Sequence, residues 1–261
     1  MNVWVKRSIE IANSHGYLDK LSEIYTPTVE ERREIPDNAK HKIKQAYEQK
    51  DKIKLIEELL ELEKFPIKDP YIAFLRRGGE RFLELNPKTV ERIGNKLLAM
   101  SFEELVERCE EPKEFNRQLG PMFKNWLLKL GYPFLDRNQF ITFKEGIAFL
   151  KGSDKKLRIF ANDVLKCELE KNPDFVAKVN DKFIIGEAKF LTDFGGHQNE
   201  QFEDALRLIR SKKGNAIRIA VLDGVLWLET RNKMSRIVRE LKDDEIALSA
   251  LLLKDFLESL R

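Results

Sequence analysis

The chain has 261 residues, of which 42% are hydrophobic and 35% charged, with a formal net charge of +3. That length and balance fit one large or two modest water-soluble domains with material for a real core, and exclude a disordered or collagen-like chain. The longest apolar runs, such as Leu248 to Leu253, fall far short of the roughly 20 residues of a membrane helix, so no membrane partner is expected.

Cys109 and Cys167 are the two cysteines, far apart in the chain, and His15, His41 and His197 are scattered. Neither set has metal-ligand spacing, and the scarcity of cysteine points to a reducing, cytoplasmic location. The opening MNVWVKRSIE lacks the apolar core of a secretory signal.

The first 130 residues read as helices. Lys40 to Phe65 carries apolar residues three and four apart and ends at Pro66 and Pro70. Asn86-Pro87 starts one helix, Ser101 with Glu104 forms a capping box for the next, and Gly120-Pro121 opens a third that Gly131 closes. After residue 131 the texture changes. Tyr132 to Phe143 reads as a loop with a short strand, and Ser153-Asp154 caps a helix running to about Glu170. Phe175 to Val179 and Lys182 to Phe190 form a hairpin about Asn180-Asp181. A loop around Gly195-Gly196 precedes a helix from His197 to Arg210, and Ala216 to Leu222, nearly all apolar, reads as a buried central strand. Val225 to Glu229 is a further strand, with Trp227 in the core, and a helix ends the chain near Leu260. The expected architecture is α/β: a central mixed sheet flanked by helices, occupying residues 131–261, behind an all-helical region over residues 1–130.

The chemistry concentrates in PDFVAKVNDKFIIGEAKF, residues 173 to 190. Side chains alternate along strands, so Asp174, Val176 and Lys178 share one face, as do Glu187 and Lys189. Counting outward from the turn pairs Asp174 with Glu187. Two buried carboxylates need compensation. A magnesium ion, held by these two acids and by the Ala188 carbonyl, supplies it and still accepts a phosphate oxygen. Lys189 then orients water or stabilises the charge of a phosphorane-like transition state.

These residues resemble the PD-(D/E)xK nucleases. The run from Gly186 through Glu187-Ala188-Lys189 to Asn199 is similar to one branch of the type II restriction endonucleases, and the similarity spans roughly residues 115 to 230. The resemblance implies a restriction-endonuclease-like core, Mg²⁺-dependent sequence-specific hydrolysis of double-stranded DNA, a homodimer and a cognate DNA methyltransferase. It makes Asp174 and Glu187 metal ligands and Lys189 the catalytic lysine. An additional acid from the preceding helix is expected, and Glu168 ranks ahead of Asp163 and Glu170 because it shares the helix's inward face. The helical region of residues 1–130 lies largely outside the resemblance and is a candidate for enclosing DNA or for dimerisation.

From Arg207 to Lys242 there are ten Lys or Arg against three Asp or Glu. This is a solvated face or a phosphate-contacting one. Gln198, Asn199 and Gln201 beside the catalytic strand, and Arg231, Lys233 and Arg236 in a loop-like segment, are the candidate DNA-binding residues. Two other readings stay open at this point: a structure-specific repair or junction nuclease of the same fold, and a non-catalytic DNA-binding module.

Overall fold

A computed structural model of the protein describes residues 1–26, 32–112, 115–228 and 231–261. The sheet has six strands in sequence order: β1 (Phe134–Leu135), β2 (Ile147–Leu150), β3 (Phe175–Val179), β4 (Lys182–Leu191), β5 (Ile217–Gly224) and β6 (Ile246–Leu248). β2, β3 and β4 are antiparallel neighbours, whereas β1 runs parallel to β2, and β4, β5 and β6 run parallel to one another. The sheet is therefore mixed and flanked by helices, as expected. β5 is buried along almost its whole length, the behaviour of a strand covered on both faces.

The helices in chain order are α1 (Val3–Ala12), α2 (Tyr17–Ile24), α3 (Asp37–Glu48), α4 (Lys52–Leu60), α5 (Ile72–Gly78), α6 (Glu80–Leu85), α7 (Pro87–Leu98) and α8 (Phe102–Glu110). They continue with α9 (Phe115–Lys129), α10 (Arg137–Thr142), α11 (Asp154–Asp163), α12 (Gly196–Arg210), α13 (Lys233–Arg239) and α14 (Leu253–Ser259).

The chain forms two compact units. One comprises residues 1–27 and 116–261, the other residues 28–115. The division expected at residue 131 is thus displaced at both ends. Residues of α1 and α2 join the core beneath the sheet, with Val5, Leu21 and Ile24 buried against it. A polar anchor fixes this return: the fully buried Asp223, near the end of β5, accepts a hydrogen bond of 2.9 Å from the Tyr25 hydroxyl and others from the Ser249 hydroxyl and the Ala250 N–H. The unit of residues 28–115 has its own core, built on Ile43, Leu55, Ile56, Leu59, Ile93 and Leu105.

Several local expectations held. Ser101 accepts from the Glu104 N–H at 3.1 Å, Asn180 turns the hairpin with a φ of 50°, and Trp227 is fully buried, its Nε1 donating to the Leu222 carbonyl at 2.6 Å. Others did not. Lys40 to Phe65 divides into α3 and α4 at Lys50, whose φ is 54°. Helix α9 begins well before Gly120-Pro121 and carries the proline inside. The helix of residues 154–170 stops at Asp163, after which Lys166 and Glu168 adopt positive φ. Val225 to Trp227 is a 3₁₀ turn rather than a strand, and Lys233 and Arg236 lie on α13 rather than in a loop. The end of the strand expected to Glu229 lies outside the described residues. Among the described residues no helix is long and apolar enough to cross a membrane.

Burial raises the Asp223 carboxyl from 3.8 to about 6 against the pull of its hydrogen bonds from Ser249, Tyr25 and Ala250. An unfolded chain releases that proton first, so between pH 4 and 6 the folded state binds more protons and stability falls as pH rises. The Asp223→Asn variant lacks this dependence. Its unfolding free energy relative to the parent is expected to rise by on the order of 3 kcal/mol from pH 4 to pH 6.5, read from urea unfolding at both pH values.

Candidate active site

The site forms where β3 and β4 part. Phe175 pairs with Gly186, and the next N–H outward, that of Asp174, also donates to the Gly186 carbonyl at 2.9 Å. A side chain at Gly186 would collide with the Phe175 ring, so the close pairing at this point depends on glycine. One residue further out the ladder fails, because Pro173 has no N–H to offer. The Ala188 carbonyl is thereby left without a ladder donor, and the Ala188 N–H donates to the Asp174 side chain, to Oδ2 at 2.8 Å. That bond aims the Asp174 carboxylate at the exposed edge of β4, and beyond it β4 continues, bonded to β5 alone through Lys189, Phe190 and Leu191.

Alternation along β4 puts Glu187 and Lys189 on one face of the sheet, and the Asp174 charge is felt at both. Glu187 is 8% exposed, and its Oε1 lies 2.6 Å from the Lys189 Nζ. Burial raises the Asp174 carboxyl above the ordinary range, opposed by the Lys189 charge and the Ala188 N–H. Glu187 is raised by burial and then by repulsion from Asp174, which together outweigh its bond to Lys189. For Lys189 burial acts downward, but the Glu187 and Asp174 carboxylates outweigh it and the amine is held above its usual value. The three groups thus form one coupled set in which an ammonium offsets two crowded acids.

A donor set of two carboxylates at an interrupted strand edge fits a hard cation, which takes oxygen ligands and keeps several waters. Among the described residues, no three His, Cys, Asp or Glu side chains gather as a metal cluster. Glu168, expected to supply a third carboxylate from a helix, sits instead in the turn after α11 with a φ of 49°. It is ion-paired to Lys213 and lines the same cavity as Glu187. Asp163 ends α11.

Two cavities flank the trio. One, of about 370 Å³, reaches from Glu187 along α12, and the other, of about 210 Å³, adjoins Asp174, α9 and the end of β2. Sequence reasoning misses Asp204 on α12. It lines the first cavity, is ion-paired to both Lys171 and Arg207, and its charge is felt at Glu187 and Lys189. An acid set among the inward residues Phe202, Ala205 and Leu206 was the available signal.

Of the residues expected to meet DNA, Gln198 and Gln201 are half-buried and Asn199 is exposed, all in the first half of α12. Gln198 donates to the Thr192 hydroxyl at 3.2 Å, and its Oε1 is buried without a partner. Arg231, Lys233 and Arg236 are exposed, and none is in an ion pair among the described residues. The preceding cations differ. Arg207, Arg210, Lys212 and Lys213 pair with Asp204, Glu245, Asp244 and Glu168 respectively. Exposed His197 pairs with Glu200 at the helix start.

Residues 2–260 match the model of the Tsp45I type II restriction enzyme family. The chain belongs to that family. It is therefore a type II restriction endonuclease, an enzyme that binds and cleaves DNA. No curated protein and no solved structure matches the chain.

Removing one member of the coupled trio has opposite effects according to its sign. Lys189→Ala leaves two buried acids without their cation and is expected to lower metal-free stability by about 3 kcal/mol. Glu187→Gln relieves repulsion and is expected to raise it by about 1 kcal/mol. Urea unfolding at pH 7 in chelator measures both, and equal destabilisation by the two variants would contradict the assigned coupling.

Proposed function

We propose that this restriction endonuclease cuts DNA by PD-(D/E)xK chemistry dependent on Mg²⁺, with Asp174, Glu187 and Lys189 as its catalytic residues. The observation that carries the reading is the mutual charge interaction of these three groups at the interrupted edge of β4. Asp174 and Glu187 would hold the ion together with the Ala188 carbonyl. Support for the carbonyl comes from the ladder: a strand residue directs its N–H and C=O to the same neighbour, and Pro173 on that side donates nothing. Bound magnesium supplies Lewis-acid polarisation of the phosphodiester and a lowered pKa for water.

The protein's own part is positioning and charge. Its raised pKa keeps Lys189 an ammonium at neutral pH. It therefore acts as a charge stabiliser beside the phosphoryl oxygens and as a donor that orients water, and not as a base. Water adds to phosphorus as the bond to the leaving strand oxygen breaks. Glu168 is a reserve acid that shares the cavity with Glu187, and reaching the ion would require it to leave Lys213.

Substrate contacts are assigned to Gln198, Asn199 and Gln201 at the start of α12 and to Arg231, Lys233 and Arg236 before and on α13. Among the described residues the latter three are in no ion pair, and so their charges suit DNA phosphates or guanine edges. A homodimer would match a palindromic site, and a cognate methyltransferase would protect host DNA. Both cysteines are buried and unpaired, in keeping with a cytoplasmic home.

With Mg²⁺ and phage DNA, discrete fragments are expected, and chelation should stop the cutting. Cutting confined to branched substrates would move the assignment to a structure-specific nuclease. Glu187→Ala and Lys189→Ala should each slow cleavage by about 10²-fold or more while a gel shift still reports DNA binding. Undiminished cutting by either variant would remove the residue from the site. Replacing Arg231, Lys233 and Arg236 with alanine should flatten the logarithmic salt dependence of binding, by about one unit for each phosphate that is no longer neutralised.

A further inference from the structure

Arg218 is the one charge in the apolar run of β5. It pairs with Ile185 on β4 and so shares the face of Glu187, whose own partner is Ala220. It is 6% exposed. Its Nη2 donates to the Cys167 carbonyl at 3.0 Å and to the Lys213 carbonyl, and the Cys167 thiol, kept protonated by burial, lies beside it. Among the described residues no carboxylate pairs with Arg218. A buried cation without an anion is costly, and a guanidinium has five N–H donors. Two carbonyls and a neutral thiol leave donors over for the cavity of about 370 Å³ that Arg218 lines together with Glu187.

The cavity's other three cations already have carboxylate partners in place. Lys171 and Arg207 share Asp204, Lys213 holds Glu168, and Glu187 is bound to Lys189. Glu170 contributes a carbonyl, which accepts from Arg158. The side chains of Lys171, Arg207 and Lys213 are 66%, 71% and 63% exposed. Ion pairs this exposed contribute little and exchange readily for another anion. The cavity therefore has a buried, uncompensated guanidinium at its floor and three releasable cations at its mouth, next to the acid proposed to hold the metal.

We propose that this cavity is a phosphate-binding subsite, with Arg218 as its fixed anchor and Lys171, Arg207 and Lys213 closing on the bound group from the rim. The inference rests on the nuclease reading for its place in catalysis. The phosphate is either a diester of the bound strand near the scissile bond or the terminal monoester that cleavage releases. In both cases Arg218 makes charge-assisted hydrogen bonds to oxygen, the geometry in which arginine outperforms lysine.

Inorganic phosphate titrated into the metal-free protein should raise the melting temperature saturably, beyond chloride at equal ionic strength. Arg218→Gln should weaken this binding by about tenfold or more. If Arg218→Gln does not fold, the doubly substituted rim variant Arg207→Ala, Lys213→Ala must show the same weakening. No effect of phosphate beyond chloride, or unchanged affinity in the folded variants, overturns the proposal. The source is read with two DNA probes. A duplex with a single neutral methylphosphonate that loses affinity for the parent but not for Arg218→Gln or the rim variant identifies the strand diester. Preferential competition by a cleaved duplex bearing its terminal phosphate over the same duplex without it identifies the monoester. Phosphate binding that persists in a protein unable to cut DNA with Mg²⁺ would sink the nuclease assignment and leave the subsite standing, whereas cutting without phosphate binding would do the reverse.

Discussion

The bond from the Ala188 N–H to the Asp174 carboxylate organises the centre of this molecule. It lies where Pro173, having no N–H, leaves the Ala188 carbonyl without a ladder donor, so a side chain meets β4 where the backbone pairing stops. That bond brings Asp174 to the edge of β4 at Ala188, while leaving the strand's next residues open on that side. Everything else in the site follows from two acids being brought together in a poorly solvated place. Each is pushed toward its protonated form, and Lys189 is held charged between them. Such crowding is unfavourable to the fold alone and favourable to a ligand that brings positive charge.

Charge is distributed around that centre in two ways. On the α12 side, cations are paired with the carboxylates of Asp204, Glu168, Asp244 and Glu245, and among the described residues Arg218 alone of the cavity's cations is in no ion pair. Toward α13, Arg231, Lys233 and Arg236 stand exposed without ion pairs among the described residues. The basic run of residues 207–242 is thus two surfaces. One is internally compensated and yields locally to a competing anion; the other is held ready for a polyanion. A restriction enzyme needs both behaviours: general attraction to DNA and close fitting of one phosphate at the metal.

The sheet itself depends on the chain's beginning. Tyr25 anchors on Asp223 across almost two hundred residues, and α1 and α2 complete the core beneath β5 and β6. The match to the restriction enzyme family over residues 2–260 includes this N-terminal contribution and the helical unit of residues 28–115. The helices there satisfy their own core, which explains why their periodicity was readable without any knowledge of the sheet.

The sequence by itself determined the hairpin, its register from Phe175 and Gly186 to the turn, and hence the shared face of Glu187 and Lys189. Strand alternation and a two-residue turn are local rules, and a glycine opposite a phenylalanine fixes them further. It also determined the central strand and the capping of α8, which depend on neighbours a few residues away. The sequence did not determine where Glu168 would go. Its helical periodicity was sound, but the helix ends at Asp163, because Lys166 and Glu168 turn to positive φ and Arg218 holds the Cys167 carbonyl from another strand. Nor did it reveal Asp204, which joins Lys171 to Arg207, or that Arg210, Lys212 and Lys213 of the basic run pair with acids distant in sequence. The single arginine in an apolar strand was visible as a letter; its lack of a carboxylate was not. Ion pairing and burial depend on which segments meet, and only the tertiary structure decides that.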